Sequence, residues 1–450
     1  MTLRSPPMKI PSHYIELWKW IGYLILVARC MFLLMFPLQA AYILLTLTRF
    51  GTRYDALEKD RKTAELMVFA KQKLLNGEST LHGDAGPGTL ACLSVRFALE
   101  FNADTVSRAV ACKQIEQHMR LCLAASSGLE RLVTLSGSEP LLAEAASELL
   151  QETSVDPIDH LAKHSDLNCI DRGRRGELVA AFIIMQARDR AANARRWVSV
   201  CEFMEALLPS GPYGTLRSSM PTFCLQGEYK SFHETFKDYA MWFNHVIRVE
   251  DSSMLSIDNL WKFITRGAMV VCKQNQYGVD IILPACLVNQ NLSRDTVTAV
   301  LVQVKNATKY RDRIDAKVLN AMDPFLVGLF SEGKPPRPVI RVVFALASQK
   351  NDVLFGAQRR REPHYADEFT AFDVWCAGLS SDTFRQLGDN LAPYRVLLDR
   401  SLQPHDAFDL NEINDPHPVD PDTRAERGLR RRKMAALVMS EVGHDSIHLQ

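Results

Sequence analysis

The chain has ten cysteines but no Cys-x-x-Cys pair. Cys30, Cys92, Cys112, Cys122, Cys169, Cys201, Cys224, Cys272, Cys286 and Cys376 are scattered, many of them inside apolar runs. That spacing argues against a structural zinc site and against a disulfide framework. It reads as reduced, buried thiols in an intracellular protein. An excess of charge of either sign is also missing. With 53 Lys and Arg against 52 Asp and Glu, the net charge is +1. No global field draws in a polyanion, so a nucleic-acid partner would need a local basic patch. A Gly-x-Ser-x-Gly elbow is absent, which disfavours a serine hydrolase. The glycine-rich stretch at 82–88 lacks the Lys-Ser/Thr of a P-loop, which excludes a nucleotide site there. His233 and His245 have no partner cysteines and do not read as metal ligands.

What is present suits a globular protein. The 450 residues are enough for two or three domains, and 47% of them are hydrophobic. Residues 1–50 form a hydrophobic N-terminal segment. Within it, 18–48 is almost wholly apolar, broken by Lys19, Arg29 and Gln39, and is long enough to be a candidate transmembrane helix. A buried helical hairpin kinked at Pro37 is the alternative. Basic residues flank it on both sides, so orientation is not set.

Residues 51–155 read as an all-helical region, with helices expected at 54–75, 89–101, 106–126 and 140–152. Thr89 is a candidate cap. A polar stretch at 155–175 reads as a boundary. A mostly apolar helix follows over 176–190, with Glu177 in its first turn, where the helix dipole favours a carboxylate. Apolar strands are then expected at 268–273, 279–286 and 297–304, a helix at 312–321, and strands at 339–346 and 369–376. A helix between the third and fourth strands implies a parallel crossover. The tail at 401–450 is rich in Asp, Asn and Pro around 405–422 and reads as poorly ordered. Its basic cluster at 428–433 suits a nuclear-import signal, a phosphate-backbone patch or a solvated helix face.

Two of these strands carry polar residues that a buried strand would not choose. Asp280 stands near the start of Gly-Val-Asp-Ile-Ile-Leu-Pro (278–284). Gln303 and Lys305 stand two apart in Ala-Val-Leu-Val-Gln-Val-Lys-Asn (299–306), so they share a face. Buried charges of this kind pair or bind an ion; an Asp280–Lys305 salt bridge is the structural alternative to a catalytic centre.

The ordered set Glu177, Asp280 and Gln303-Val-Lys305, in a helix–three strands–helix–strand order, resembles the PD-(D/E)xK nuclease superfamily in its Gln-x-Lys, Mrr-like and resolvase-like branches. The resemblance spans 172–350. The chain as a whole also looks like fungal Crinkler-like or mobile-element-associated proteins. The resemblance implies an α/β fold whose central mixed sheet is of the restriction-endonuclease type, over 172–400. It implies a metal-dependent DNA endonuclease, active or degenerate. Asp280, Gln303, Lys305 and Glu177 would be the catalytic residues, with Glu177, Asp280 and Gln303 holding Mg²⁺ or Mn²⁺. Arg172, Arg174, Arg175, Arg266, Lys309, Arg311 and Arg313 would grip DNA phosphates. The expected location is nuclear or membrane-associated. A membrane-anchored interaction protein with no catalytic role is the competing expectation.

Overall fold

A computed structural model describes residues 56–402, apart from positions 79, 82–85, 100, 102–104, 126–131, 154–155, 165–174, 193–196, 226–227, 274–275, 307–309, 311–312, 332–335, 357–367 and 389–390. Side chains of 56–63, 105–107, 163–164, 175 and 399–402 are likewise left aside. The hydrophobic segment 18–48 and the tail from 403 lie outside the described residues. Among the described residues no helix is long and apolar enough to cross a membrane.

The chain opens with α1 (Ala56–Leu74), α2 (Pro87–Phe97) and α3 (Thr105–Gln117), then a hairpin of β1 (Arg120–Ala125) and β2 (Leu132–Ser136). Next come α4 (Pro140–Gln151), α5 (Pro157–His164) and α6 (Arg175–Ala192). A second stretch holds β3 (Val198–Ser199), α7 (Val200–Leu207), α8 (Ser210–Ser218), α9 (Phe232–Phe236), β4 (Tyr239–Met241), β5 (His245–Arg248) and α10 (Ile257–Thr265). The strands β6 (Ala268–Val271), β7 (Ile281–Leu287) and β8 (Val297–Lys305) precede α11 (Ala316–Ala321). The described chain ends with β9 (Val339–Ala345), β10 (Asp352–Phe355), β11 (Ala371–Ala377) and α12 (Ala392–Leu402).

The expectation of an all-helical region before the sheet is corrected by the hairpin. The helix expected over 106–126 stops at Gln117, because Met119 takes a left-handed conformation (φ +61°) that a helix does not continue through. Residues 120–125 then pair antiparallel with 132–136. Pro87 occupies the first turn of α2, where its missing N–H costs nothing, so Thr89 lies inside the helix rather than capping it.

The sheet runs β10-β11-β9-β8-β7-β4-β3, with β6 also on β7 and β5 on β6. β6, β7 and β8 form an antiparallel meander, while β9 is parallel to β8 and β11 is parallel to β9. The outer edge of β7 is shared. Its first residues pair with β6 up to Ile282, and its last pair with β4 from Ala285. Pro284, which has no N–H for a ladder, falls in the gap between the two partners. Helices cover both faces. On one side Ile281, Leu283, Val300, Val302, Ile340 and Val342 pack in a core with α6 and with α1, α2 and α4. On the other, Ile282, Leu301 and Val343 pack against α10 and α11. Burial on both faces explains why these strands read as unbroken apolar runs. No separate core divides 51–155 from the sheet, since Leu93, Leu149 and Phe182 share one apolar cluster with Val302 and Phe344.

Two buried ion pairs fix this frame. Arg96 of α2 donates to both oxygens of Asp189 of α6 at 2.9 and 3.0 Å, and to the Asn244 carbonyl at 3.3 Å. Burial alone would raise the Asp189 pKa, but Arg96 and Arg188 outweigh it and hold the carboxyl below its ordinary value. Arg341 and Asp373 are register partners on β9 and β11 and pair bidentately at 2.6 and 2.7 Å. Arg341 also donates to the Leu319 carbonyl of α11 at 3.0 Å and stacks 4.7 Å from the Phe223 ring.

Gly278 is fixed by both conformation and space. It sits at φ +76°, and a Cβ there would overlap the Ala321 carbonyl at the end of α11. Gly278→Ala is expected to cost at least about 2 kcal/mol, combining a left-handed penalty with a backbone clash. A urea titration that leaves the midpoint unchanged would show that the turn and α11 are not packed this way.

Candidate functional site

The turn freed by Gly278 delivers Asp280 to the start of β7. Its backbone is held on both sides: Asp280 N–H donates to the Val302 carbonyl at 2.9 Å, and its carbonyl accepts from Cys272 N–H at 2.8 Å. β8 runs antiparallel to β7, so its C-terminal end, with Gln303 and Lys305, lies beside the N-terminal end of β7. The side chain of Asp280 accepts from the Val304 N–H at 2.6 Å and from the amide nitrogen of Gln303, both through Oδ2. Gln303 therefore meets Asp280 through nitrogen, and its Oε1 is the atom left to face other partners.

Glu177 arrives from the first turn of α6. Gly176 makes this possible, because a Cβ there would collide with the Asn306 side chain just past the end of β8. The helix start thus packs directly on the strand end. Glu177, Asp280, Gln303 and Lys305 all line one cavity of about 890 Å³. Arg248 of β5 lies 3.9 Å from Glu177. Lys305 Nζ stands 5.6 Å from the Tyr310 ring centre, and its charge reaches Asp280 without an ion pair among the described residues. The simple Asp280–Lys305 salt bridge is thus not formed.

Asp280 is the electrostatic centre of this cavity. Burial raises its pKa, and the Val304 N–H, the Lys305 ammonium and the Gln303 amide only partly offset that. A carboxylate held this way is under-compensated and suits a cation. Among the described residues no three His, Cys, Asp or Glu side chains cluster as a ready metal cage. The side chains there that could offer oxygens to a metal include Glu177, Asp280 and the Gln303 amide. That is compatible with Mg²⁺, which keeps several waters and takes one or two carboxylates.

The basic residues are less well gathered. Arg172, Arg174, Lys309 and Arg311 lie outside the described residues, as does the side chain of Arg175. Arg313 is exposed, two residues before Asp315, which lines the cavity. Arg266 lies elsewhere. It sits at the end of β6 away from Asp280 and ties down the loop before α4, donating to the Ser138 carbonyl at 2.6 Å. It does not line this cavity. The sequence reading missed Asn306, Tyr310 and Lys317, which complete the rim. Asn306 and Tyr310 directly follow the Gln-x-Lys strand, which is the signal that could have found them.

Residues 85–324 match a family described as a domain of unknown function, DUF8736. The chain belongs to this family. The matched span of the DUF8736 chain includes Glu177, Asp280, Gln303 and Lys305 and stops before β9. No curated protein and no solved structure matches the chain.

The raised pKa of Asp280 makes a prediction that needs no substrate. Its folded value lies above the unfolded 3.8. Its contribution to stability is therefore fully present below that unfolded value and is lost as pH rises through the folded one. Asp280→Asn keeps an acceptor for Val304 N–H and removes the charge. It should stabilise the protein by about 0.5–2 kcal/mol at neutral pH, as active-site relief substitutions do. The gain should shrink toward pH 4. Urea midpoints at pH 4 and pH 8 check this; a variant less stable than wild type at pH 8 contradicts it.

Proposed function

We propose that the protein is a metal-dependent endonuclease-like enzyme that hydrolyses DNA phosphodiester bonds, of the restriction-endonuclease type. One observation carries the reading. Glu177, Asp280, Gln303 and Lys305 come from α6, the turn before β7, and β8, yet they line a single cavity. The antiparallel β6–β7–β8 meander, then α11, then β9 parallel to β8, supports the same reading. So does α6 packed on β8 through Gly176.

In this reading Glu177, Asp280 and the Gln303 amide oxygen hold Mg²⁺ or Mn²⁺. The ion, when bound, neutralises the scissile phosphate and lowers the pKa of an attacking water. The remaining work belongs to side chains. Lys305 brings a positive charge to the cavity where the phosphate gains negative charge during cleavage. Val304 N–H and the Gln303 amide keep Asp280 fixed and oriented. Arg248, 3.9 Å from Glu177, brings a second positive charge to its carboxylate. Lys317 and Arg313, both exposed, offer charge to a DNA backbone at the rim.

The test is nicking of supercoiled plasmid by the full chain with Mg²⁺ or Mn²⁺. Asp280→Ala and Lys305→Ala should each lower the rate by about 10²–10³, the scale of removing one preorganised charge from a transition state. Nicking that survives both substitutions assigns the activity elsewhere.

A further inference from the structure

A second polar chain lies one strand length from Glu177, at the start of β5. Asn244 donates through Nδ2 to the Pro140 carbonyl at 3.1 Å and to Glu144 at 2.7 Å. Both amide protons are thereby used, which turns Oδ1 toward His245 Nδ1, 2.8 Å away. An amide oxygen only accepts, so Nδ1 carries the ring proton and Nε2 carries the lone pair. Nε2 is 2.8 Å from Ser138 Oγ. With no proton on Nε2, the serine hydroxyl is the donor. The ring stays neutral at ordinary pH, since burial first, then Arg266 and Arg96, hold the His245 pKa down to about 3. His245 and Asn244 are fully buried.

Ser138 is only half-buried. It lines a cavity of about 540 Å³ whose other walls include Leu99, Phe101, Val246 and Ile247. Its position is a strand-to-helix turn, between the end of β2 at Ser136 and the start of α4 at Pro140. The turn, Ser136-Gly-Ser-Glu-Pro140, has neither glycine of the elbow pattern and follows a strand of the two-stranded hairpin, so the serine is placed by its side-chain partners and not by an elbow. Arg266 Nε reaches Ser138 Oγ at 3.3 Å and places a positive charge where an alkoxide would form.

We propose that Ser138 is a nucleophilic serine acting on esters with short apolar acyl groups, with His245 as its general base and Asn244 as the positioning residue. Oγ attacks the ester carbonyl carbon as its proton passes to Nε2. The ester C–O bond breaks, and the departing alcohol takes the proton from Nε2. Water then attacks acyl-Ser138, giving its proton to Nε2. The carboxylic acid leaves, and the serine recovers its proton. The apolar walls select the acyl group. The arginines that keep the imidazole neutral also oppose the imidazolium, so acylation is slow and covalent labelling is the proper readout. This site does not use Asp280 and does not rest on the nuclease reading, although Arg248, which faces Glu177, also lines its cavity.

The experiment incubates the full chain with a fluorophosphonate probe and maps the adduct by mass spectrometry. An adduct on Ser138 is expected, absent in Ser138→Ala, which leaves the buried His245 Nε2 without its donor and should melt lower but still cooperatively. His245→Gln should slow labelling at least 10-fold. If its melting curve shows that it has unfolded, Asn244→Ser, which frees the ring to turn, should show the same loss. A p-nitrophenyl butyrate burst should vanish in Ser138→Ala. No adduct on Ser138 after exhaustive incubation overturns the proposal, as does labelling unchanged in a folded His245 or Asn244 variant.

Discussion

Asp280 is a carboxylate largely removed from water at the end of a sheet that is apolar on both faces, and the surrounding design answers to that constraint. A buried anion must be met by donors or cations, or it takes up a proton. Here the donors come from the neighbouring strand: the Val304 N–H and the Gln303 amide. Both depend on the register of β7 against β8. A slip of one residue would turn every side chain to the opposite face and leave the carboxylate with neither. The site and the ladder therefore specify each other. Gly278 and Gly176 belong to the same constraint. Each admits a close approach that a Cβ would block, one to α11 and one to the end of β8.

The frame that holds this geometry is ionic where it crosses between elements and apolar elsewhere. Arg341 reaches from β9 to Asp373 on β11 and to the α11 carbonyl, so the helix bounding the cavity is tied to the sheet's interior. Arg96 does the same between the helical layer and α6, the helix that carries Glu177. Buried pairs of this kind contribute little net stability, because desolvation cancels most of the attraction. Their geometric demand is the more useful property. A bidentate fork tolerates little sliding, whereas Leu against Val tolerates a good deal. The two pairs lock the two walls of the cavity in place, and apolar burial supplies the stability.

This division explains what could be read in advance. The strands at 268–271, 281–287, 297–305, 339–345 and 371–377 stand where apolar runs placed them, within a residue or two, because burial on both faces writes itself continuously into sequence. Asp280, Gln303 and Lys305 were visible as interruptions of those runs. Three features were hidden for a different reason. The hairpin at 120–136 begins Arg-Leu-Cys-Leu-Ala-Ala, residues that serve a helix equally well, and only its partner strand decides. The Arg341–Asp373 pair joins residues 32 apart, and its meaning appears only when β9 and β11 are neighbours. The joining of the helical segment to the sheet rests on Arg96, Asp189 and Asn244, whose spacing carries no local signal. Contacts between distant segments are what periodicity cannot encode.

Gln303 shows how a departure from an acidic pattern can be read as a physical solution. A carboxylate at 303 would sit within hydrogen-bond reach of Asp280, and two such groups cannot both stay ionised so close together. One would take up a proton, and the buried pair would become more costly to fold. The amide replaces that repulsion with a donor to Oδ2. It gives up one negative charge in the cavity, which weakens the pull on any cation. It also leaves Asp280 to share the cavity with Glu177, which faces Arg248 at 3.9 Å, and with Asp315. On the nuclease reading, a cation would bind this cavity against two competing equilibria, the deprotonation of Asp280 and the separation of Glu177 from Arg248. Both lower the apparent affinity, so binding would be weaker and more dependent on pH than at a site whose carboxylates are already free.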